Sequence, residues 1–314
     1  MITGGMGQVG SYICDALSGT RSSVVVLDNF SSSASYPGPS AEIVNGDIRD
    51  REVVGRLVRE SDYIIHCAAQ IYVSRSVSDP GFDADNNIMG TLNLLETARA
   101  ASVKRFVYFS SAAVYGDPTR LPIEEPHAQN PLSPYGVSKL AGEKYALAFH
   151  KVYGLPTTVI RPFNIYSPRQ DPSNPYSGVI SRFIDRVEAG QPPVIFGDGS
   201  ATRDFVSVHD VVNMVLLMLD DPACIGRAFN CGTGKWTRID ALARLIASLC
   251  GREDLGPELQ PERPGDIRHS YASIAQAGML LGYRPTVSLE EGLREIVEHK
   301  QAAGAPGEAA HAPL

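Results

Sequence analysis

The 314-residue chain has no long apolar run. Its most hydrophobic helical stretch, Val211 to Leu219, is nine residues, far short of the roughly 20 that a membrane span needs. No membrane span is therefore expected, and no secretory signal is visible. Basic residues are not in excess either. A net charge of −7 and a pI near 5.5 exclude the positive face of an electrostatic nucleic-acid binder. Cysteine is scarce: Cys14, Cys67, Cys224, Cys231 and Cys250 are odd in number and form no C-x-x-C. They read as reduced core residues of a cytoplasmic protein. His66, His150 and His209 show no metal-ligand grouping, so no metal is expected and each reads as structural.

What is present is an ordinary globular composition, 43% hydrophobic and 20% charged, enough for one large domain or one with a smaller lobe. Met1-Ile2-Thr3 looks like the end of a strand whose beginning lies upstream, and Gly4, Gly7 and Gly10 follow it ahead of a helical run to about Leu17. Such glycines allow a tight turn, close approach of backbone to a pyrophosphate and close packing of helix on strand. The next strand, Val24 to Leu27, ends in Asp28, about 18 residues past the last glycine. A carboxylate there accepts from ribose hydroxyls and repels a 2′-phosphate, which favours NAD over NADP.

The alternation continues with Ile43-Val44 before Asp47, a helix over 50–60, a strand from Tyr63 to Cys67, a long helix over 82–101, and a strand from Phe106 to Phe109 that delivers Ser110 and Ser111. After a loop with five prolines comes a helix through Tyr153, then a sixth strand at Thr157 to Ile160. This pattern predicts an α/β fold: a Rossmann-type doubly wound parallel sheet, with ligands beyond the carboxyl ends of its strands. Asp28, Asp47, Gln70 and Ser111 all fall at such ends. The predicted division is a dinucleotide-binding domain over 1–164, a smaller C-terminal α/β substrate lobe over 165–301 with some elements returning to the first domain, and a disordered tail over 302–314. A long loop is expected over 167–177, and Thr237/Asp240 and Ser288/Glu291 have capping-box spacing.

Tyr135 and Lys139 are spaced i, i+4 and share one helical face, with Pro134 suited to the first turn. In isolation any amphipathic helix presents such a pair. A phenol with a pKa of about 10 is a poor base near neutrality, and bringing it to about 7 takes roughly 4 kcal/mol, part of which a desolvated lysine could supply.

Together, T-G-G-x-G-x-x-G at Thr3 to Gly10, Asp28, the Ser110-Ser111 pair and Tyr135/Lys139 resemble the extended short-chain dehydrogenase/reductases. Within that group the nucleotide-sugar 4-epimerases typified by UDP-glucose 4-epimerase are most similar, through Asn86 to Thr91, Ser110 to Gly116, Arg161 to Asn164, Arg203 to Asp210 and Arg263 to Asp266. The resemblance implies Tyr135 as base, Lys139 holding the nicotinamide ribose and lowering the phenol pKa, and Ser111 bonding the sugar 4-hydroxyl. It places NAD against Gly4, Gly7, Gln8, Val9, Gly10, Asp28 and Asn29, and further along against Asp47, Ile48, Ala68, Ala69, Gln70 and Asn87. For a UDP-sugar it implies Val73, Asn164, Val179, Arg182, Arg203, Arg263 and Asp266, the arginines because a diphosphate suits forked, permanently charged donors. Arg182 would pair a C6 carboxylate, as in UDP-glucuronate. A homodimer is implied as well, on the helices over 82–101 and 135–153.

Two departures stand out. Met6, Gln8 and Val9 replace the usual Ala, Phe and Ile of the glycine turn. Ala112-Ala113 stand where sugar 4,6-dehydratases carry Asp-Glu, and two alanines cannot move protons. Epimerisation at C4 through a 4-keto sugar is thus the expected reaction. UDP-glucuronate decarboxylase, another nucleotide-sugar dehydratase, net dehydrogenase and non-catalytic binding remain as alternatives.

Overall fold

A computed structural model describes residues 1–31, 41–170, 178–262 and 266–304. Seven parallel strands form the central sheet, six of them β1 (Ile2–Thr3), β2 (Val25–Asp28), β3 (Glu42–Asn45), β4 (Tyr63–His66), β5 (Arg105–Phe109) and β6 (Thr157–Pro162). The seventh, Ala228–Cys231, comes back from far along the chain to pair with β6. The order across the sheet is Ala228–Cys231, β6, β5, β4, β1, β2, β3. Every residue of β5 and β6 is buried, which is why Phe106 to Phe109 and Val159-Ile160 run apolar without alternating, as strands covered on both faces do.

The pleat sends neighbouring residues to opposite faces. Val26, Ile65, Val107 and Ile160 pack with the helices Gln8–Ser18 and Val208–Asp220, through Ile13, Cys14, Val211 and Val215. Leu27, Ile64, Phe106 and Val159 pack on the other side with Arg51–Arg59, Gly90–Ala100 and Pro134–Tyr153, through Leu57, Leu94 and Ala146. A third core gathers Phe183, Ile246 and Leu293 from Val179–Glu188, Ile239–Leu249 and Leu289–Gly304 around Tyr166 and Phe205. Short strand pairs flank it: Asn164–Tyr166 runs beside Phe205–Ser207, and Thr202–Arg203 lies between Thr237–Arg238 and His269–Ser270.

The chain leaves β1 toward β2 and β3 on one side and later builds β4, β5 and β6 on the other. That reversal opens a crevice at the carboxyl ends of β1 and β4, where ligands of such sheets bind. The glycine turn sits there.

Several local expectations change. The helix expected over 82–101 consists of Pro80–Ala84, a π-helical turn Asp85–Met89 and Gly90–Ala100, and the helix Val73–Ser78 precedes it. At Ser288 and Glu291 the capping box forms reciprocally, each side chain accepting from the other's backbone N–H, at 2.9 and 3.2 Å. At Thr237 it does not, because Arg238 captures Asp240 with a two-pronged pair at 2.9 Å. The last helix runs to Gly304, three residues into the expected tail, and 305–314 lie outside the described residues, as do 171–177 of the expected loop. All five cysteines are free. Among the described residues no helix is long and apolar enough to cross a membrane, and no group of three His, Cys, Asp or Glu could hold a metal.

Candidate active site

Gly4 turns the chain at φ +69°, and a Cβ there would lie 2.7 Å from the Ala68 nitrogen. At Gly10 a Cβ would run into the Gly4 carbonyl. Both positions therefore admit only glycine. Gly7 precedes the helix Gln8–Ser18, whose first turn has neither a side-chain cap nor an acidic residue. Its leading N–H groups, at the positive end of the helix dipole, are suited to a diphosphate. Asp28 closes the turn by accepting from Met6 N at 2.9 Å and Phe30 N at 2.8 Å.

Beside it, Asn29 donates to Asp47 at 2.9 Å, and Arg49 forks onto Asp47 and reaches Asp85 at 2.6 Å. Hydrogen bonds from Arg49 hold the Asp47 carboxyl well below the usual range. An arginine at this rim could receive a 2′-phosphate, but Arg49 is committed to two carboxylates. Ile48 is buried against Gly90.

Ala68 and Ala69 continue from β4, with Ala68 N donating to Thr3 Oγ1 at 3.3 Å. Gln70 turns its side chain onto Tyr72 and Asp83. Asn87, presented by the π-helical turn, clamps the Gln70 backbone at 2.8 and 2.9 Å and donates to Ser138 Oγ at 3.0 Å. Such turns break the helical period locally and re-aim a side chain. Here Asn87 ties the segment after β4 to the Tyr135 helix.

That helix, Pro134–Tyr153, starts with Ser133 accepting from Gly136 N at 3.1 Å and Pro134 in its first turn. Tyr135 lies beside Ser111, whose hydroxyl favours the ionised phenol and whose Oγ accepts from Ala113 N at 3.2 Å. Lys139 is buried, donates to the Phe109 carbonyl at 2.6 Å and lies 5.2 Å from the Tyr108 ring centre. Burial pulls its ammonium down to about 8. The expected lowering of the Tyr135 pKa by Lys139 is not found in the protein alone. Burial pushes the phenol up, outweighing the nearby Ser111 hydroxyl, while the ammonium is engaged with Phe109.

One turn beyond Lys139, Glu143 is fully buried and accepts from Arg161 at 2.9 and 2.6 Å, Ser110 at 2.9 Å and Gln129 at 3.0 Å. Arg161 also donates to Tyr115 Oη, which donates on to Asn230 at 2.6 Å. This network fixes the ends of β5 and β6 and the helix relative to one another. Neither Glu143 nor Arg49 stands out in the sequence, although Glu143 lies on the stripe i, i+4, i+8 with Tyr135 and Lys139.

On the other side, Arg203 donates to the Thr202 and Arg268 carbonyls at 2.8 and 3.3 Å, and burial lowers its pKa against the field of Asp266. Those two expected partners are thus brought together. Asp204 accepts from Thr233, Gly234 and Ala272 and pins the strand that carries Arg203. Asn164 is exposed at the start of its strand, Val73 is half exposed, and Val179 and Arg182 open the helix Val179–Glu188 with Arg182 exposed. Arg263 lies outside the described residues. His66 is buried between Thr3 and Thr91, at 2.8 and 2.9 Å, its pKa taken by burial to about 3.

The UDP-glucose 4-epimerase of Mycolicibacterium smegmatis is 42% identical over 306 residues, 95% of this chain and 97% of that protein. The crystal structure of UDP-glucose 4-epimerase from Thermotoga maritima with UDP-glucose superposes with a TM-score of 0.91 at 38% identity, covering 96% of this chain and 98% of that one. The UDP-N-acetylglucosamine 4-epimerase of Methanobrevibacter ruminantium, in complex with UDP-N-acetylmuramic acid, superposes equally well, with a TM-score of 0.91 at 33% identity, covering 96% of this chain and 97% of that one. Residues 1–232 match the NAD dependent epimerase/dehydratase family. That span takes in all seven strands of the central sheet, the glycine turn and the Tyr135 helix, so the chain belongs to the NAD dependent epimerase/dehydratase family.

Proposed function

We propose that this chain is an NAD-dependent UDP-sugar 4-epimerase. The observation that carries the reading is Tyr135 set beside Ser111 at the carboxyl end of the sheet, one turn from a buried Lys139 that donates to the Phe109 carbonyl and beside Ala112-Ala113, which offer no acid–base pair for dehydration. The glycine turn, the uncapped helix Gln8–Ser18 and Asp28 fit a dinucleotide, with Gln8, Val9, Ala68 and Ala69 along its path and Lys139 at the nicotinamide ribose. NAD supplies the hydride acceptor for C4 and is restored within the turnover.

Ser111 would orient the sugar 4-hydroxyl and Tyr135, as phenolate, remove its proton, leaving a 4-keto sugar. After the sugar turns over, Tyr135 returns the proton and C4 is inverted. Arg203 and Asp266 would hold the diphosphate and uridine ribose, and Asn164, Val73, Val179 and Arg182 the sugar side. The exposed Met89, Val137, Tyr145 and Val152 on the helices over 85–100 and 134–153 support a homodimer on that surface. The free cysteines support a reducing compartment.

UDP-glucose, UDP-N-acetylglucosamine and UDP-glucuronate, incubated separately without added NAD and analysed by chromatography, test the reading. The galacto isomer of at least one should form. Release of carbon dioxide or accumulation of NADH instead would overturn it. Arg182→Leu should impair a uronate substrate selectively; equal impairment of neutral sugars would remove Arg182 from sugar selection.

A further inference from the structure

The helix Pro80–Ala84 carries an acid that the mechanism above leaves unused. Asp83 is 1% exposed. Its Oδ1 accepts from Gln70 Nε2 at 2.7 Å and Asn87 Nδ2 at 3.1 Å, while its buried Oδ2 has no hydrogen-bond partner. Asn87 in turn donates to Ser138 Oγ, and Ser138 Oγ donates to the Tyr135 carbonyl, both at 3.0 Å. We propose that Asp83 is a positioning residue of this site, tying the segment after β4 to the Tyr135 helix and standing as the negative charge that balances the Lys139 ammonium.

A buried carboxylate with an orphan oxygen is unfavourable unless a positive charge compensates it. Lys139 is the buried cation whose titration feels Asp83. Burial pulls that ammonium down, and the fields of Cys67 and Asp83 work the other way. The titratable groups facing Lys139 are His66 and Cys67 at the end of β4, Tyr108 on β5, Asp83, and Tyr135 and Glu143 on its own helix. Of these, Glu143 is neutralised by Arg161, the Cys67 thiol, the Tyr108 phenol and the His66 imidazole are uncharged near neutrality, burial raises the Tyr135 phenol in the protein alone, and Arg75 of the adjoining Val73–Ser78 helix is stacked on Phe82. Asp83 is therefore the standing counter-charge. It also raises the Tyr135 phenol, so it opposes the base while keeping the ammonium charged.

This inference rests on the proposed role of Lys139 as the donor to the nicotinamide ribose. Its test uses the full chain in two assays: NAD affinity by calorimetry across the neutral-to-alkaline range without sugar, and the pH profile of kcat/KM for epimerisation. Asp83→Asn keeps the size and one acceptor but removes the charge. Its alkaline limb should move to lower pH by about one unit in both assays, with NAD affinity at lower pH retained. Ser138→Ala, which cuts the link to Asn87 but keeps the charge, should leave the limb in place and lower kcat. An Asp83→Asn limb that coincides with the wild type refutes the counter-charge, and wild-type kcat in Ser138→Ala refutes the tie. Lack of epimerisation by the wild type would sink the functional reading instead, and the NAD-affinity profile would still decide the role of Asp83.

Discussion

Arg161→Met is the sharpest probe of the buried network. Burial pushes the Glu143 carboxyl up, but the Arg161 fork, with Gln129 and Ser110, outweighs it and holds the pKa below its ordinary value. Removing the guanidinium leaves Glu143 as an uncompensated buried charge, which costs about 3–5 kcal/mol. That is a large part of the roughly 5–15 kcal/mol that holds a native protein together, and for a chain of this length it corresponds to a drop in Tm of about 5–8 °C. Methionine replaces much of the lost volume, so charge dominates the effect.

The sign with pH distinguishes this account from a packing defect. In the wild type the depressed Glu143 contributes stability that is present above the unfolded pKa of about 4.3 and lost as pH falls through the folded value. In Arg161→Met the folded pKa is instead raised by burial, so the penalty is present at neutral pH and relieved on acidification. Thermal unfolding followed by circular dichroism at pH about 7 and about 5.5 should show the variant gaining stability at the lower pH. Glu143→Gln/Arg161→Met should recover most of the loss, because Ser110 and Gln129 keep a neutral partner. Equal Tm values for the single and double variants, or a single variant less stable at the lower pH, would refute the reasoning.

Tyr135→Phe should lower kcat for epimerisation by about 10²–10⁴-fold, the usual worth of a general base, and near-normal turnover by chromatography would remove Tyr135 from that role. Lys139→Met/Asp83→Asn, which removes the buried ammonium without leaving the Asp83 carboxylate uncompensated, should be more stable than the wild type by about 3 kcal/mol, since the folded Lys139 pKa of about 8 lies below 10.5. The penalty of burying that charge is full below about 8 and fades as pH rises toward 10.5. The gain measured in a denaturant titration should therefore shrink at alkaline pH, while activity is lost at every pH. Gly10→Ala should abolish copurified NAD, because its Cβ meets the Gly4 carbonyl; wild-type nucleotide content on extraction would contradict the close packing of that turn. Trp236, the single tryptophan, is 56% exposed and precedes Thr237, which pairs with Arg203. Saturating UDP should change its fluorescence, and an unchanged spectrum under binding shown by calorimetry would move the nucleotide away from Arg203.

The parts of the fold legible in sequence are those whose signals are local. Apolar strand centres, the glycine turn and the acid at the end of β2 need only neighbours or a fixed spacing, and Tyr135 and Lys139 need only one helical turn. Glu143 was not legible, because its partners lie 33, 14 and 18 residues away and its own neighbourhood reads as a solvated helix face. Asp83 is hidden for the same reason, and while the resemblance implied Asn87 at the cofactor, the π-helical turn that aims it leaves no compositional mark. Thr237/Asp240 had the right spacing, yet Arg238 competed for the carboxylate. The direction of the Tyr135 shift depends on burial, which a residue pattern does not weigh.

The strand Ala228–Cys231 has a consequence for how the protein is made. β6 ends at Pro162, so 65 residues intervene before its outer neighbour begins at Ala228. At translation speeds of about 5–20 residues per second, a nascent chain holds an unpaired apolar rim for on the order of 3–13 s. Synonymous changes that slow the ribosome between those two strands would lengthen that interval and lower soluble yield without altering one amino acid.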